Sequence, residues 1–299
     1  MSQERILPCI RWRLTKRQIA FIYNGIRVER FYRTLFVAAG NAQKRGRMMQ
    51  IDVQLLPISP DPGALSTRSV VVLDILRATS VIVHALAQGA KEFIPVRTVE
   101  DAFEAKKRLP AGTTFLGGEK DTQPIPGFDL GNSPREYVAE RIRDKRIVLR
   151  TTNGSQAFHL VSSAREVMVG SFFNVGATAG RCAEMGFDLL IFPSGDEGTF
   201  SLEDTVCGGM IIDRILKTKG KDIVLTDASN AALILFKRFE EHLVEVFHWS
   251  HHGNKLISLG RDADLPYCAQ TDTISMVPIF KDGVIRLPDR METDEGIRR

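Results

Sequence analysis

Carboxylates set in loops, beside short runs of Ser, Thr, Gly and Arg, are the part of this sequence that could do chemistry. Asp74 follows the apolar run Val70–Leu73 and Glu119 follows Gly117-Gly118. Asp129 lies in Gly127-Phe128-Asp129-Leu130-Gly131-Asn132-Ser133-Pro134, and Glu203-Asp204 open a helical pattern. Magnesium is commonly held by one or two carboxylates plus waters and phosphate oxygens. Asp74, Glu119, Asp129, Glu203 and Asp204 are therefore enough for metal-assisted hydrolysis of a phosphate ester. Three stretches place small hydroxyl or glycine residues at a helix start, where free N–H groups and the helix dipole favour an anion. The first contains Arg77, Thr79 and Ser80; the second runs through Arg150, Thr151, Thr152, Asn153, Gly154 and Ser155; the third contains Ser194 and Gly195. Arg77 and Arg150 add a planar fork suited to phosphate or sulfonate. His252, in His251-His252-Gly253, could supply a general acid or an anion contact, although an exposed polar turn is the simpler reading.

Structural roles compete at several of these positions. Ser201 and Asp204 have capping-box spacing, as do Ser133 and Glu136 around Pro134, so Asp204 and Asn132-Ser133 also read as helix caps. Cys207 reads more readily as a small core residue than as a nucleophile. Familiar covalent phosphatase machinery is missing: Arg214 stands one residue too far from Cys207 for a Cys-x5-Arg loop. There is likewise no Asp-x-Asp-x-Thr/Val, no Arg-His-Gly and no Gly-x4-Gly-Lys-Ser/Thr.

The elements that must position these groups alternate. Strand-like runs at Gln50–Leu56, Val70–Leu73, Glu92–Val96, Ile147–Leu149, Glu166–Gly170, Leu189–Phe192 and Ile223–Leu225 are separated by helical patterns. The helices are expected at Thr79–Gln88, Val99–Leu109, Ser155–Ser162, Val175–Met185 and Leu202–Lys217, with Thr98 and Asp101 as a capping box. Ala231–Val246 reads as one long amphipathic helix, His251–Leu259 as another, and Thr293–Arg299 as a polar tail. Such alternation means βαβ units and a mostly parallel, helix-covered α/β sheet, with ligands at the carboxyl ends of the strands. A weak repeat, Leu76-Arg77-Ala78-Thr79 against Leu149-Arg150-Thr151-Thr152, suggests two related halves, roughly 49–145 and 146–290.

Composition bounds the partners. At 299 residues and 43% hydrophobic, the chain can bury one large core or two modest ones. Residues 1–48 carry eleven Lys/Arg against Glu4 and Glu29, so a total of +4 leaves the body at −5. A mildly acidic body is a poor nucleic-acid surface, so no nucleic-acid partner is expected, and it suits a small anionic substrate held by local groups. The basic segment reads as a targeting presequence or, preferably, as residues upstream of the true start at Met48-Met49, and it stands apart from the fold. Four cysteines without a CxxC pair indicate a reducing, cytoplasmic setting. No apolar run approaches the roughly 18 residues of a membrane span, and a homo-oligomer is left open.

Taken in order and spacing, Val72–Ser80, Gly118-Glu119, Gly127–Pro134, Thr151–Ser155, Ser201–Cys207, His252-Gly253, Asp264–Cys268 and Asp272 resemble the 2-phosphosulfolactate phosphatase family, from about Met49 to about Leu287. The resemblance implies a three-layer α/β/α protein of two similar halves. It also implies Mg2+-dependent hydrolysis of 2-phospho-3-sulfolactate to 3-sulfolactate and phosphate, a step toward coenzyme M in methanogens. On this reading Asp74, Arg77, Glu119 and Asp204 carry the chemistry. Lys120 stands where the family's Gly-Glu-Arg motif has arginine, which keeps the charge and loses the fork. A related phosphatase for another small phosphorylated hydroxy acid, or a non-catalytic anion-binding protein of the same fold, are the competing readings.

Overall fold

Ser69-Val-Val-Val-Leu73 is buried along its whole length, with Val70 and Val72 in one apolar cluster and Val71 and Leu73 in another. That alternation is what a parallel strand covered on both faces requires. The computed structural model describes residues 48–220 and 222–288; the expectations for residues 1–47 and for the tail 293–299 lie outside them.

The strands are β1 (Met49–Val53), β2 (Ser69–Leu73), β3 (Glu92–Pro95), β4 (Thr114–Gly118), β5 (Arg146–Arg150), β6 (Glu166–Gly170), β7 (Leu189–Pro193), β8 (Ile223–Leu225), β9 (Ile279–Lys281) and β10 (Val284–Arg286). They form one sheet in the order β4-β5-β3-β10-β9-β6-β2-β7-β1-β8. Strands β4, β5 and β3 make one parallel block; β6, β2, β7, β1 and β8 make the other. The antiparallel hairpin β9–β10 joins them, β9 pairing with Val167 and Met168 of β6 and β10 with Phe93 of β3. Buried Glu92 of β3 pins this joint, accepting from Arg146 of β5 and Arg286 of β10, each at 2.5 Å. The blocks interleave along the chain, since β1 and β2 precede β3–β5 yet pair with β7 and β6.

The helices are α1 (Pro62–Leu65), α2 (Ala78–Ala87), α3 (Val99–Arg108), α4 (Ala139–Ile142), α5 (Gly154–Leu160), α6 (Val175–Met185), α7 (Leu202–Lys219), α8 (Asp227–Phe239), α9 (Leu243–Trp249), α10 (His251–Ser258) and α11 (Asp264–Cys268). Side chains of α2 and α5 share a core with Val70, Val72 and Val169 of one block and with Phe93, Ile147 and Leu149 of the other. On the opposite face α3 covers Leu116 and Val148, and α6, α7 and α8 cover Met168, Ile191 and Ile51. The result is the three-layer α/β/α architecture that the family resemblance implies. Cys182, Cys207 and Cys268 are buried and unbridged, the first two among these core contacts of α6 and α7. Where α7 crosses α8, a Cβ on Gly209 would lie 2.0 Å from the Ala232 carbonyl oxygen, so only glycine admits the approach.

Two expectations need correction. Ala231–Val246 is not one helix: α8 ends at Phe239 and α9 starts at Leu243, with Glu240-Glu241-His242 turning the chain between them. The strands β4, β9 and β10 are additions that the pattern of apolar runs did not mark. Among the described residues no helix is long and apolar enough to cross a membrane.

Candidate active site

Asp74 ends β2 and turns the chain into α2. Its backbone N–H and C=O both pair with the Thr79 hydroxyl, at 3.0 and 2.9 Å, while the Ala78 N–H donates to its carboxylate at 3.1 Å. Gly154, opening α5, is pressed against the same carboxylate, since a Cβ there would sit 2.5 Å from Asp74 Oδ2. Asp204 arrives from the first turn of α7. Ser201 accepts its N–H at 3.3 Å, as the capping spacing requires, but its carboxylate does not close a capping box on the Ser201 backbone N–H. It takes the Ile75 N–H at 2.8 Å instead, with the Ser194 hydroxyl at 3.5 Å. The cap is one-sided, and the carboxylate is presented to the end of β2.

Glu203 stands beside Asp204, and all three carboxylates are buried. Burial pushes the Asp74 and Glu203 carboxyls above the ordinary range. Burial pushes Asp204 well above it, and the charges of Glu203 and Asp74 add to the effect. Such an accumulation of desolvated negative charge is costly without a cation. Part of the balance comes from α10. Asp196, after β7, faces His251 Nδ1 at 2.7 Å and His252 Nδ1 at 3.2 Å. The His252 hydrogen bond, with that of His251, holds Asp196 down at about 2 despite partial burial. Burial depresses His252, yet its bond to Asp196 and the charges of Glu203 and Asp74 win and raise it. The turn carrying Asp196 is tight, with Glu197 at φ 50° and Gly198 at φ 83° between a pair of Asp196–Thr199 backbone hydrogen bonds.

Glu119, after β4, is built into a separate clasp. Its carboxylate accepts from the N–H groups of Thr122 (2.5 Å) and Thr152 (2.7 Å) and from the Thr152 hydroxyl (3.1 Å). Arg150 Nη1 donates to the Glu119 carbonyl at 2.8 Å, tying the ends of β4 and β5 together. Its charge still reaches the cluster, since it helps to raise Asp74.

Arg77 donates from Nη1 to Asp264 Oδ2 of α11 at 2.6 Å, and Asp264 Oδ1 accepts the Ser133 hydroxyl at 2.6 Å. Arg77, Glu119, Asn132, Ser133, Arg135 and Arg261 line a cleft of about 420 Å3. Three buried polar atoms of this region have no partner: Arg77 Nε, Asn132 Oδ1 and Arg150 Nε. Each such group costs roughly 1–3 kcal/mol until something hydrogen-bonds it.

The structure brings together Asp74, Glu203, Asp204, Ser194 and His252, with Glu119 alongside. Asp129 is placed elsewhere. Its Oδ2 takes Lys106 Nζ at 2.7 Å and the Leu116 N–H at 2.8 Å, a brace between α3 and β4. The hydroxyls read as anion donors are largely spent inside their own turns. Thr79 serves Asp74, Ser80 bonds the Ile75 carbonyl, and Thr151 and Ser155 cap one another. Asn153 accepts the Glu197 N–H at 3.2 Å, and Gly195, at φ 72°, passes too close to Pro57 for a side chain. Asp196, Asp264, Arg135 and Arg261 also stand in this region, none of them among the sequence-based site candidates; Asp264 lies within the Asp264–Cys268 motif.

Among the described residues, no three His, Cys, Asp or Glu side chains converge as a ready-made metal cage. The donor chemistry nonetheless fits magnesium. Asp74 and Asp204 are hard oxygen donors, both buried, with the Asp74 charge reaching Asp204, and two carboxylates suffice when water and phosphate complete the shell.

The model of the family described as 2-phosphosulpholactate phosphatase matches residues 58–283. A Caldanaerobacter subterraneus protein named "Probable 2-phosphosulfolactate phosphatase" is 40% identical over 222 residues, covering 74% of this chain and 91% of its own length. Proteins of the same name from Clostridium beijerinckii and Thermotoga maritima are 37% and 38% identical, covering 79% and 80% of this chain and 99% of their own lengths.

Proposed function

The chain belongs to the 2-phosphosulfolactate phosphatase family, and from that premise we propose that it is a phosphoric monoester hydrolase converting 2-phospho-3-sulfolactate to 3-sulfolactate and phosphate with magnesium. The observation that carries this reading is the buried Asp74–Glu203–Asp204 cluster, where Asp74 feels the charge of Glu119 in the wall of an arginine-lined cleft. Asp74 and Asp204 would hold the metal, whose chemistry, when bound, is to neutralise phosphoryl oxygens and favour a water nucleophile. Ile75 and Ser194 fix the Asp204 carboxylate, and Ala78 fixes that of Asp74, so neither has to reorganise on the reaction path. Arg150, anchored on the Glu119 carbonyl, keeps an unpartnered Nε–H for the substrate's charge. His252, held through Nδ1 by Asp196 and pushed toward its protonated form, is the proton donor to the departing lactate oxygen.

Phosphate release from racemic 2-phosphosulfolactate, beside a panel of phosphorylated hydroxy acids with and without magnesium, tests the activity. Preferential magnesium-dependent release from phosphosulfolactate is expected; release only from other esters would replace the substrate. Asp74→Asn and Asp204→Asn are each expected to lower kcat at least about 100-fold, since each removes a charge that would hold the metal. Intact magnesium-dependent turnover in both would sink the residue assignment.

A further inference from the structure

We infer that the cleft beside the β9–β10 hairpin, which joins the two strand blocks, is a second ligand site built for a small carboxylate with an apolar body. It goes beyond the phosphatase reading and does not depend on it. The cleft encloses about 750 Å3, within the range of small-molecule sites. It lies at the opposite edge of the sheet from the carboxylate cluster. Asp74 follows the carboxyl end of β2, whereas the cleft is lined by Glu166 and Val167, the first residues of the parallel neighbour β6, and by Ile279, Phe280 and Lys281 of β9. Among the described residues none lines both this cleft and the one beside Arg77.

The lining divides by chemistry. Val167, Ile279 and Phe280 are buried and, with Ala164, give the cleft an apolar wall. Water gains nothing from such a wall; a hydrocarbon body does. The polar part holds three cations, Arg165, Arg181 and Lys281, against two acids, Glu166 and Asp282. Glu166 is already neutralised, since Arg181 donates to both its oxygens, from Nε at 2.7 Å and from Nη2 at 3.0 Å. Asp282 stands in the hairpin turn with Gly283, at φ 51° and 81°, exposed where water and salt screen its charge. Arg165 differs from the other cations. Its guanidinium lies over the Phe187 ring, 3.8 Å from the centroid, and among the described residues it has no carboxylate within ion-pair distance. Stacking fixes the plane of the group and leaves its edge N–H donors open, the geometry that takes a carboxylate through two parallel hydrogen bonds. Arg165 belongs to the loop entering β6 and Phe187 to the loop entering β7, so the fork is held in place from two loops. One open fork satisfies a planar carboxylate, and the apolar wall receives what the carboxylate carries.

The probe is 3-phenylpropionate, followed by saturation-transfer-difference NMR on the full-length protein at constant ionic strength. 3-Phenylpropanol supplies the body without the charge, and propionate the charge without the body. Phenylpropionate is expected to bind at least about tenfold more tightly than either. Arg165 is exposed, and Arg165→Glu is expected to weaken phenylpropionate about tenfold or more. Lys107→Glu, the same reversal at an exposed position on α3, should leave binding unchanged. Excess inorganic phosphate or 3-sulfolactate should not displace the probe. The inference is overturned if the wild type does not bind phenylpropionate, if the alcohol binds as well, or if Arg165→Glu binds as the wild type does. Equal weakening in Lys107→Glu overturns it too, as does displacement by either anion, which would put the probe in the cleft beside Arg77. None of these readouts involves turnover, so failure of the phosphatase reading would leave this site standing.

Discussion

Asp204 has its N–H capped by Ser201 and its carboxylate drawn to Ile75, so one residue starts a helix and delivers a buried charge. Its raised pKa fixes the sign of a stability effect. The native state holds the proton more tightly than the unfolded chain, so acidification through the window above 3.8 stabilises the metal-free protein, and ionisation at neutral pH destabilises it. Asp204→Asn keeps the acceptor for Ile75 and removes the charge. In chelator it should therefore melt above the wild type at pH 7, by about 2–4 °C per kcal/mol recovered, with the gap closing as pH approaches 4 and turnover lost throughout. A variant that melts below the wild type at neutral pH would show that Asp204 is bound as a structural cap. Residue types and loop positions made Asp74, Glu203 and Asp204 legible in the sequence. Asp264 and Asp196 were not assigned, because their partners lie 187 and 55 residues away and no local pattern encodes such pairs.

Helices and the longer strands were readable from periodicity, since Val70–Leu73 and Leu189–Phe192 are buried on both faces and Thr98–Asp101 caps α3 as its spacing requires. The misses are physical. Thr114–Gly118 ends in two glycines, strands of three residues such as β9 and β10 are too short to display a period, and amphipathic residues on both sides of Glu240–His242 hide a break. Glycines in helices separate two kinds of constraint. Gly209→Ala would place a methyl 2.0 Å from the Ala232 carbonyl oxygen and should cost about 1–3 kcal/mol or more as α7 and α8 part. Gly180, in α6, has nothing within 4 Å, so Gly180→Ala should gain about 0.5–1 kcal/mol from helix propensity. Denaturant midpoints for the pair check both signs, and a neutral Gly209→Ala would mean that the helices are not in this contact.

The molecule is two parallel blocks made into one by a hairpin and a shared apolar layer under α2 and α5. Phe280 sits in that joint, 5.4 Å from the Phe158 ring, and is 6% exposed. Phe280→Ala is expected to cost about 3–5 kcal/mol while far-ultraviolet circular dichroism and intrinsic fluorescence still report one coincident transition; separated transitions would mean that the blocks fold independently. Alternation of strands and helices foretold the layers, but not the strand order, because pairing between β2 and β6 is a long-range choice that no single segment records. The buried cysteines have a different consequence. Burial raises the Cys182 and Cys268 thiols to about 12 and Cys207 well above its ordinary range, which leaves almost no reactive thiolate in the closed protein. Alkylation of each must wait for α6, α7 or α11 to open, so the described residues carry three chemical clocks, each timing the breathing of a different part of the structure.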